Sequence, residues 1–382
     1  MQKICDEDLC TGCCACLNKC TINAISMIED DYGFMHPQIN QDICISCGAC
    51  RNVCPVVRFS DFHKEIIVYA AVSRNSSIYV NSTSGGVATT LSKSMIEDNG
   101  IVYGAAFDNK FNLKHQCANS INNLDAFQGS KYVQSYIGES FKKIKEELST
   151  KKVLFIGTPC QVAGLLNYIP SLYKKNLITI SFICGGVPSV KFLKQSLNGF
   201  LSGAKKLRFR NGKEYGFWIE SDNREDIYLE RFYSQYFRAF DNKLSLRNSC
   251  YNCKFACRER VGDITIGDFW GLKDDPFFKA FQDGISIIIC STEKGKSFID
   301  HYKHNFILRE HSILETLECN PRLLSPAEKT KDVIKFRVQY RKKGNFNVAV
   351  NSVLNLRYRV YEIKKNLKQY RLLRYLHNII KK

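Results

Sequence analysis

Two cysteine-rich stretches, CTGCCACLNKC at residues 10–20 and CISCGACRNVCP at residues 44–55, decide how the rest of the chain is organised. Each places three cysteines at i, i+3 and i+6 and a fourth cysteine four residues later. Three thiolates at this spacing line one tight loop, and the fourth binds the other cluster when the run occurs twice. The spacing therefore predicts two 4Fe–4S clusters with crossed fourth ligands. The predicted ligands are Cys10, Cys13, Cys16 and Cys54 for the first cluster, and Cys44, Cys47, Cys50 and Cys20 for the second.

Zinc and disulfides are the alternatives for these thiols. Structural zinc sites also use Cys-x-x-Cys, but as two pairs arranged for a tetrahedron rather than as triplets with a trailing cysteine. A disulfide framework is disfavoured because the chain begins MQKIC, without an apolar leader segment, which predicts a reducing, cytoplasmic location. Thr21 follows Cys20 where a proline is usual, which predicts a looser turn there. The surplus thiols of Cys5 and Cys14 are interpreted as packing groups.

Length and charge suggest several domains and an uneven charge distribution. A chain of 382 residues is long for a single domain and suggests two or three. Residues 331–382 carry 15 of the basic side chains but only two acids, so most of the net charge of +18 belongs to this end. No apolar run reaches 18 residues, and we therefore predict no membrane-spanning helix.

The pattern beyond residue 63 alternates strands with helices. Short apolar or β-branched runs at 66–72, 101–107, 153–156 and 177–183 predict strands. Continuous apolar runs such as VLFI at 153–156 are typical of strands buried on both faces of a parallel sheet. Helical spacing follows most of these runs, which favours an α/β sheet with crossover helices.

Two loops in this region carry small or polar residues. Ser84, Gly85 and Gly86 lie between a predicted strand and a predicted helix, where backbone N–H groups can face an anion. The same residues also suit an ordinary capped helix with glycines for close packing. The second loop, residues 128–135, is polar and contains a single cation, Lys131.

Four further cysteines suggest a third cluster. Cys160 and Cys184 each come just after a predicted strand, at the sheet edge where open α/β folds bind ligands. Together with the Cys250-x-x-Cys253 pair they make a set of four thiolates. The alternatives are that Cys160 and Cys184 are packing thiols and that the later cysteines are incomplete or bind zinc; Cys257 could also replace one of the four. The remaining cysteines, interpreted as core residues, are Cys117, Cys290 and Cys319.

A glycine-rich bend follows these cysteines in the sequence DITIGDFWG, residues 263–271. Asp263 and Asp268 are acids in an apolar setting, and they either bind a cofactor or substrate hydroxyl or cap turns.

These segments together resemble the coenzyme F-420 hydrogenase/dehydrogenase beta-subunit family. They occur in the family's order over roughly residues 66–290, and the two-cluster ferredoxin run ahead of them is a frequent fusion in that family. The segments are SGGV at 84–87, GSKYVQS at 129–135, GTPCQ at 157–161, Ile183-Cys184, Cys250-x-x-Cys253 and DITIGDFWG at 263–271.

The resemblance implies an iron–sulfur flavoprotein oxidoreductase whose core binds FAD and a 4Fe–4S cluster, and which exchanges hydride with a deazaflavin or a similar substrate. It assigns the core cluster to Cys160, Cys184, Cys250 and Cys253. It also implies a redox partner protein or ferredoxin. An alternative is a reductase of a sugar or nucleotide sugar in surface-polysaccharide biosynthesis. The residues implied as flavin contacts are Ser84, Gly85, Gly86, Lys131, Tyr132 and Thr158.

The carboxyl-terminal end reads as a basic amphipathic helix. Apolar residues recur every three or four positions between Val353 and Ile380, with cations largely between them. Three interpretations compete: peripheral contact with an anionic membrane, contact with an acidic partner, or packing as a terminal helix with a solvated basic face. Nucleic-acid binding through the tyrosines of this tail is a rival function, disfavoured because the charge is confined to the tail.

The predicted architecture thus has three parts. Residues 1–62 form an α+β ferredoxin-like domain with two 4Fe–4S clusters. Residues 63–326 form an α/β flavin-binding core with a largely parallel or mixed sheet and one more 4Fe–4S cluster. Residues 327–382 form the basic helical tail.

Overall fold

A mixed α/β arrangement is found in the computed structural model, which describes residues 3–59, 61–222, 224–272 and 275–354. The strands are β1 (Ile25–Glu29), β2 (Met35–Ile39), β3 (Phe62–His63), β4 (Ile67–Ser73), β5 (Ile101–Phe107), β6 (Leu113–Ala118), β7 (Val153–Gly157), β8 (Leu177–Phe182), β9 (Ala204–Asn211), β10 (Glu214–Ser221), β11 (Ile227–Glu230), β12 (Arg260–Val261), β13 (Ile264–Asp268), β14 (Ser286–Cys290) and β15 (Phe306–Glu310). The α-helices are α1 (Ala15–Lys19), α2 (Ala49–Asn52), α3 (Ser76–Val80), α4 (Val87–Glu97), α5 (Ser140–Glu147), α6 (Pro159–Tyr168), α7 (Val190–Ser196), α8 (Gln235–Asp241), α9 (Glu293–Tyr302), α10 (Leu314–Leu317) and α11 (Lys331–Lys343).

The main sheet has eight strands in the order β15-β4-β14-β13-β8-β7-β5-β6. The pairs β5–β7, β7–β8 and β8–β13 are parallel, and the other four pairs are antiparallel. The sheet is therefore mixed: its four central strands are parallel to one another, and the strands that flank them on both sides pair antiparallel. All five residues of β7 are buried, as expected for a central strand covered on both faces.

The carboxyl ends of the central strands meet at one edge of this sheet, which we call the carboxyl edge. Parallel pairing brings the ends of β5, β7, β8 and β13 to this edge. Strand β4 runs antiparallel to β14, which runs antiparallel to β13, so β4 also ends there. The loops after β4, β7 and β8 consequently lie on the same side of the molecule.

The cysteine-rich amino-terminal region docks onto the core through its first loop. Strands β1 and β2 form a hairpin, with Ile25 opposite Ile39. Cys13, Cys14 and Ala15 are buried against the same hydrophobic cluster as α6. A Cβ atom added to Gly164 of α6 would lie 2.9 Å from the Cys13 Sγ, so the helix approaches the cysteine loop closely only because that position is glycine.

A second core lies outside the main sheet and was not predicted from the sequence. Strands β9, β10 and β11 form a three-stranded antiparallel sheet that packs with α7, α8 and α11. The buried side of α11 presents Val333, Phe336 and Tyr340 to this core. The hairpin of the amino-terminal region contributes Tyr32 and Phe34 to the same cluster.

The described part of the predicted tail, up to residue 354, therefore packs against the core. Residues 346–354 are also helical, and Phe346, Val350 and Leu354 are buried. The basic amphipathic helix predicted from Val353 to Ile380 lies outside the described residues beyond position 354. Among the residues that the structure does describe, no helix combines the length and apolar character needed to cross a membrane.

Candidate electron-transfer site

The first predicted ligand set lines one pocket, which we call the first thiol pocket. Its walls include all four predicted ligands and also the surplus thiols Cys5 and Cys14. A hydrogen bond with Cys5, supported by His36 and Arg247, lowers the pKa of Cys10 below its usual range despite its burial. The four predicted ligands that the fold brings together here are Cys10, Cys13, Cys16 and Cys54. The crossed arrangement of the fourth cysteine is thus present in the geometry.

The second predicted set lies nearer the surface. Cys50 is partly buried, and burial raises the pKa of its thiol, with further increases from the neighbouring Cys47 and Cys20. Cys47 is exposed and Cys44 is partly exposed. The Cys20 Sγ accepts a hydrogen bond of 3.2 Å from the Ala24 N–H, which fixes its orientation after α1. Three thiols of the second set therefore lie near one another, with Cys44 three residues ahead of Cys47.

The four later cysteines line another pocket, the core thiol pocket, at the carboxyl edge. Cys160, Cys184, Cys250 and Cys253 share its walls with Thr158 and Arg322. Burial raises the pKa of Cys184 to about 11 and that of Cys253 to about 12, because a pocket shielded from water penalises the thiolate. Iron bound by these sulfurs would offset that penalty, since metal binding requires and stabilises the deprotonated form.

Local structure explains how the core thiols converge. Thr158 caps α6 in a capping box with Gln161, and its Oγ1 lies 3.2 Å from the Cys160 Sγ. Because β7 and β8 are parallel neighbours, Cys160 and Cys184 follow adjacent strand ends. Gly186 has a φ of +96°, and a Cβ atom there would lie 3.3 Å from the Cβ of Cys250. A larger residue at position 186 would thus push the two halves of the thiol set apart.

The two pockets are joined by a hydrogen-bonded wall. Thr11 lines both the first thiol pocket and the core thiol pocket. Its carbonyl accepts a hydrogen bond of 3.0 Å from the Gln134 side chain, and the buried Arg247 donates to the Cys10 carbonyl at 2.6 Å. Arg247 also donates to the Gln134 Oε1 at 3.2 Å. The amino-terminal region and the core are therefore in contact at the wall that separates the two thiol sets.

The predicted flavin loops meet one another at the same edge of the sheet. The hydroxyls of Thr83 and Ser130 lie 2.8 Å apart and connect the 83–86 loop to the 129–132 loop. The Gly85 N–H donates to the Ser286 Oγ at 3.0 Å, and a Cβ atom on Gly85 would lie 2.1 Å from the Ala71 carbonyl oxygen. Gly86, with a φ of +80°, immediately precedes α4. The glycines therefore let this loop lie directly against β4.

Three of the predicted flavin contacts have other neighbours in the structure. The Lys131 Nζ donates to the carbonyls of residues 127, 128 and 129, at 3.0, 2.9 and 3.2 Å. Burial, with a smaller effect of Lys206, lowers the pKa of Lys131 to about 7, whereas the three carbonyls favour its charged form. The ring of Tyr132 packs against Phe209, Tyr215 and Phe240. Thr158 belongs to the core thiol pocket rather than to either loop.

Sequence comparisons place the chain in a known family. Residues 150–315 match the profile for the C terminus of the beta subunit of coenzyme F420 hydrogenase/dehydrogenase, and residues 9–57 match the 4Fe-4S dicluster domain. The chain therefore carries the coenzyme F420 hydrogenase/dehydrogenase beta-subunit domain over residues 150–315. It is an iron–sulfur oxidoreductase with a 4Fe–4S binding domain, which confirms the predicted family and the ferredoxin-like region. All four cysteines of the core thiol pocket lie within the matched beta-subunit region.

Similarity to solved structures is more distant. One chain of the F420-reducing [NiFe] hydrogenase complex from Methanosarcina barkeri, from a xenon-derivatised structure, aligns with a TM-score of 0.49 and 18% sequence identity. The alignment covers 76% of this beta-subunit family member and 97% of that chain. No curated protein matches the sequence.

Arg210 is a candidate site residue that the sequence did not reveal. It lies on β9, and its Nη1 donates to the Asp268 Oδ2 at 2.6 Å, with the two side chains 2% and 17% exposed. Burial alone would lower the pKa of Arg210, but the hydrogen bond and charge of Asp268 raise it above its usual range. The Arg210 Nη2 is buried and has no hydrogen-bond partner among the described residues. Its strand reads as alternating basic and apolar residues, and nothing in that pattern distinguishes this cation from its exposed neighbours.

The two aspartates of the 263–271 segment have different surroundings. Asp263 is buried, accepts hydrogen bonds from the Thr179 N–H and Oγ1 at 2.9 and 2.8 Å, and lies 3.3 Å from the Lys294 Nζ. It precedes β13, at the edge of the sheet opposite the thiols, so its surroundings match the structural interpretation. Asp268, at the end of β13, is the partner of Arg210 and lies at the carboxyl edge.

Cys257 lies outside the walls of the core thiol pocket. Its Sγ donates to the Lys254 and Glu259 carbonyls at 3.4 and 3.1 Å. The structure therefore favours the set Cys160, Cys184, Cys250 and Cys253 over one that includes Cys257. Separately, among the described residues no three His, Cys, Asp or Glu side chains come together in a way that could hold a single metal ion.

We expect the substitution Cys257→Ala to leave the iron content of the anaerobically purified protein unchanged. The reason is that this thiol bonds to backbone carbonyls and does not reach the pocket. Iron should be measured per chain beside the parent protein. A loss of about four iron atoms, one cluster's worth, would return Cys257 to the ligand set.

Proposed function

We propose that this family member is a flavin-containing converter that passes electrons between a one-electron carrier and a small organic molecule that donates or accepts hydride. The observation that carries the proposal is the contact between the two thiol pockets through Thr11, with the core thiol pocket at the same sheet edge as the predicted flavin loops. A deazaflavin is the substrate class that the family suggests.

The cofactors would supply the redox chemistry: iron–sulfur clusters carry single electrons, and a flavin handles one electron or a hydride. The chain's own residues position them. We assign one cluster to each of the two ferredoxin-like thiol sets and a third to Cys160, Cys184, Cys250 and Cys253. The thiols of the first set are buried, those of the third are partly buried, and Thr11 lies in the walls of both pockets, which supports direct transfer between them.

The residues around the flavin loops fit a dinucleotide flavin. The Ser84 Oγ and the Arg210 Nη2 are buried polar atoms without partners among the described residues, and a Cβ atom on Gly129 would meet nothing within 4 Å. Backbone N–H groups at the start of α4 suit a pyrophosphate. The Ser84 hydroxyl and the N–H groups from Gly86 onward would therefore hold the phosphates, Gly85 would let the loop pack against β4, and Arg210 would offset negative charge.

The one-electron carrier would approach the exposed second thiol set. Cys47 is exposed, and the neighbouring Ile43 and Ile45 are 47% and 70% exposed. Exposed apolar side chains beside a redox centre suit a transient partner surface. We infer that electrons enter or leave the chain here and at the flavin.

The stoichiometry of cofactors tests the proposal. Anaerobically purified protein should contain about twelve iron atoms per chain, from three 4Fe–4S clusters, and one FAD. Iron and acid-labile sulfide would be measured beside the flavin released by denaturation. A preparation with about eight iron atoms and no flavin after reconstitution would contradict the proposed core. Loaded protein offered deazaflavin, nicotinamide cofactors and nucleotide sugars in turn would identify the substrate class.

A further inference from the structure

A buried cation lies in the wall between the two thiol pockets. Arg247 is 1% exposed and follows α8 in a loop just before Cys250. Its donors reach the Cys10 carbonyl at 2.6 Å, the Met35 carbonyl at 2.9 Å and the Gln134 Oε1 at 3.2 Å. One guanidinium therefore contacts both the cysteine-rich region and the core.

All three of these acceptors are neutral. Arg247 also lines a surface pocket with several acids, among them Asp8 and Asp30, but within the described ranges it forms no ion pair with them. Asp30 pairs instead with His36 at 3.3 Å, and the His36 Nε2 lies 3.3 Å from the Arg247 Nη2. The guanidinium carbon lies 5.4 Å from the centre of the Phe34 ring. A buried charge without a counter-ion is costly, so its presence calls for a nearby group of opposite charge.

Both predicted ligand sets supply that negative charge. Arg247 contacts one wall residue of each pocket, because it donates to the Cys10 carbonyl at 2.6 Å in the first thiol pocket and to the Gln134 Oε1 at 3.2 Å in the core thiol pocket. The guanidinium of Arg247 also packs against the first cysteine loop, because a Cβ atom added to Gly12 would lie 3.0 Å from the Arg247 Nη1. The thiolates of both pockets would thus share one cation across a wall shielded from water, where charge interactions are stronger than in water.

We propose that Arg247 sets the reduction potentials of the two clusters on either side of it and holds their ligand loops in contact for electron transfer. This inference rests on the cluster assignment of the proposed function. In the transfer step one cluster loses an electron and is oxidised, and the other gains that electron and is reduced. No bond is made or broken and no proton moves. A fixed positive charge favours the reduced form on each side, so it raises both potentials and changes the difference between them little.

The first test substitutes the arginine in the full-length protein. Arg247→Gln should shift the reduction equilibrium of both clusters about tenfold toward the oxidised form, which is about 59 mV for a one-electron couple. Arg247→Lys keeps the positive charge and should leave both reduction potentials close to those of the parent protein. Redox titration followed by electron paramagnetic resonance would resolve the clusters, with iron counted in each sample. A full-iron Gln variant with both potentials unchanged would overturn the inference.

A second pair of variants changes the charge without removing the arginine. Thr11 lines both pockets, and its Oγ1 is buried without a hydrogen-bond partner among the described residues. Thr11→Asp should cancel the field of Arg247 and lower both potentials, whereas the equally sized Thr11→Asn should not. Equal potentials for the Asp and Asn variants would reject the inference even if Arg247→Gln failed to fold.

Arg260 provides the matched control. It is also 1% exposed and bonds to neutral acceptors, but these acceptors, including the Cys257 carbonyl at 2.8 Å and the Phe182 carbonyl at 3.2 Å, all belong to the core. Arg260→Gln should lower the potential of the core cluster alone. If this variant shifts the reduction potentials of both clusters, any change of buried charge disturbs the fold, and the special role of Arg247 is overturned. Parent protein with fewer than three clusters would instead reject the proposed function.

Discussion

Replacing Cys160 with alanine should reduce the iron content from about twelve to about eight atoms per chain and stop electrons from passing from the ferredoxin-like clusters to the flavin. Cys160 lies at the start of α6 with its Sγ 3.2 Å from the Thr158 Oγ1, in the wall of the core thiol pocket. Removing one of the four proposed ligands would leave an incomplete cluster site next to the first thiol pocket. The expected defect is therefore in transfer, with substrate binding retained.

The measurements are iron per chain and the rate at which a reduced one-electron carrier bleaches the flavin. That rate should fall to background in Cys160→Ala, while direct chemical reduction of the flavin remains. Cys290→Ala is the matched control, because Cys290 is a fully buried thiol on β14 in another hydrophobic cluster. It should keep all its iron and its transfer rate. An undiminished iron content in Cys160→Ala would return that residue to the packing thiols.

The central part of the fold could be predicted from the sequence because its strands are buried on both faces. The runs at 101–107 and 153–156 appear as β5 and as the first four residues of β7. Strands β9 to β11 were missed because their alternating charged and apolar residues give no continuous apolar run. Their apolar sides bury Phe209 and Phe217 against α7, α8 and α11, which are distant in sequence. Such a core is specified by tertiary contacts rather than by local pattern.

The places of the cysteines in the fold could be predicted better from the sequence than those of the other site residues. Repeated spacing predicted the ferredoxin-like sets, and the ends of adjacent strands predicted that Cys160 and Cys184 would approach each other. The direction of the Lys131 side chain could not be predicted from the sequence, because it is set by hydrogen bonds to three backbone carbonyls of its own loop. Arg247 was missed because its acceptors lie 113 to 237 positions away in sequence.

Replacing Phe192 with alanine should lower the free energy of unfolding by about 3–5 kcal/mol, the usual cost of deleting a buried aromatic ring. Phe192 on α7 is 1% exposed and is the ring that joins three parts of the chain. Its centroid lies 6.2 Å from that of Phe34 in the β1–β2 region, 5.0 Å from Tyr340 on α11 and 4.9 Å from Phe346. The cavity would therefore weaken the contact of the amino-terminal hairpin with the core as well as the packing of α11.

Two variants separate this packing role from a general loss of apolar area. Phe200→Ala removes a ring that is 37% exposed and should cost less than about 1 kcal/mol. Phe192→Leu keeps much of the buried volume and should fall between the parent and the alanine variant. Chemical unfolding under anaerobic conditions, followed by tryptophan fluorescence and by cluster absorbance, would measure both the core and the cysteine-rich region. If Phe192→Ala and Phe200→Ala lose equal stability, α7 is not what holds the hairpin and the terminal helix together, and the contact must depend on Arg247 and the first cysteine loop instead.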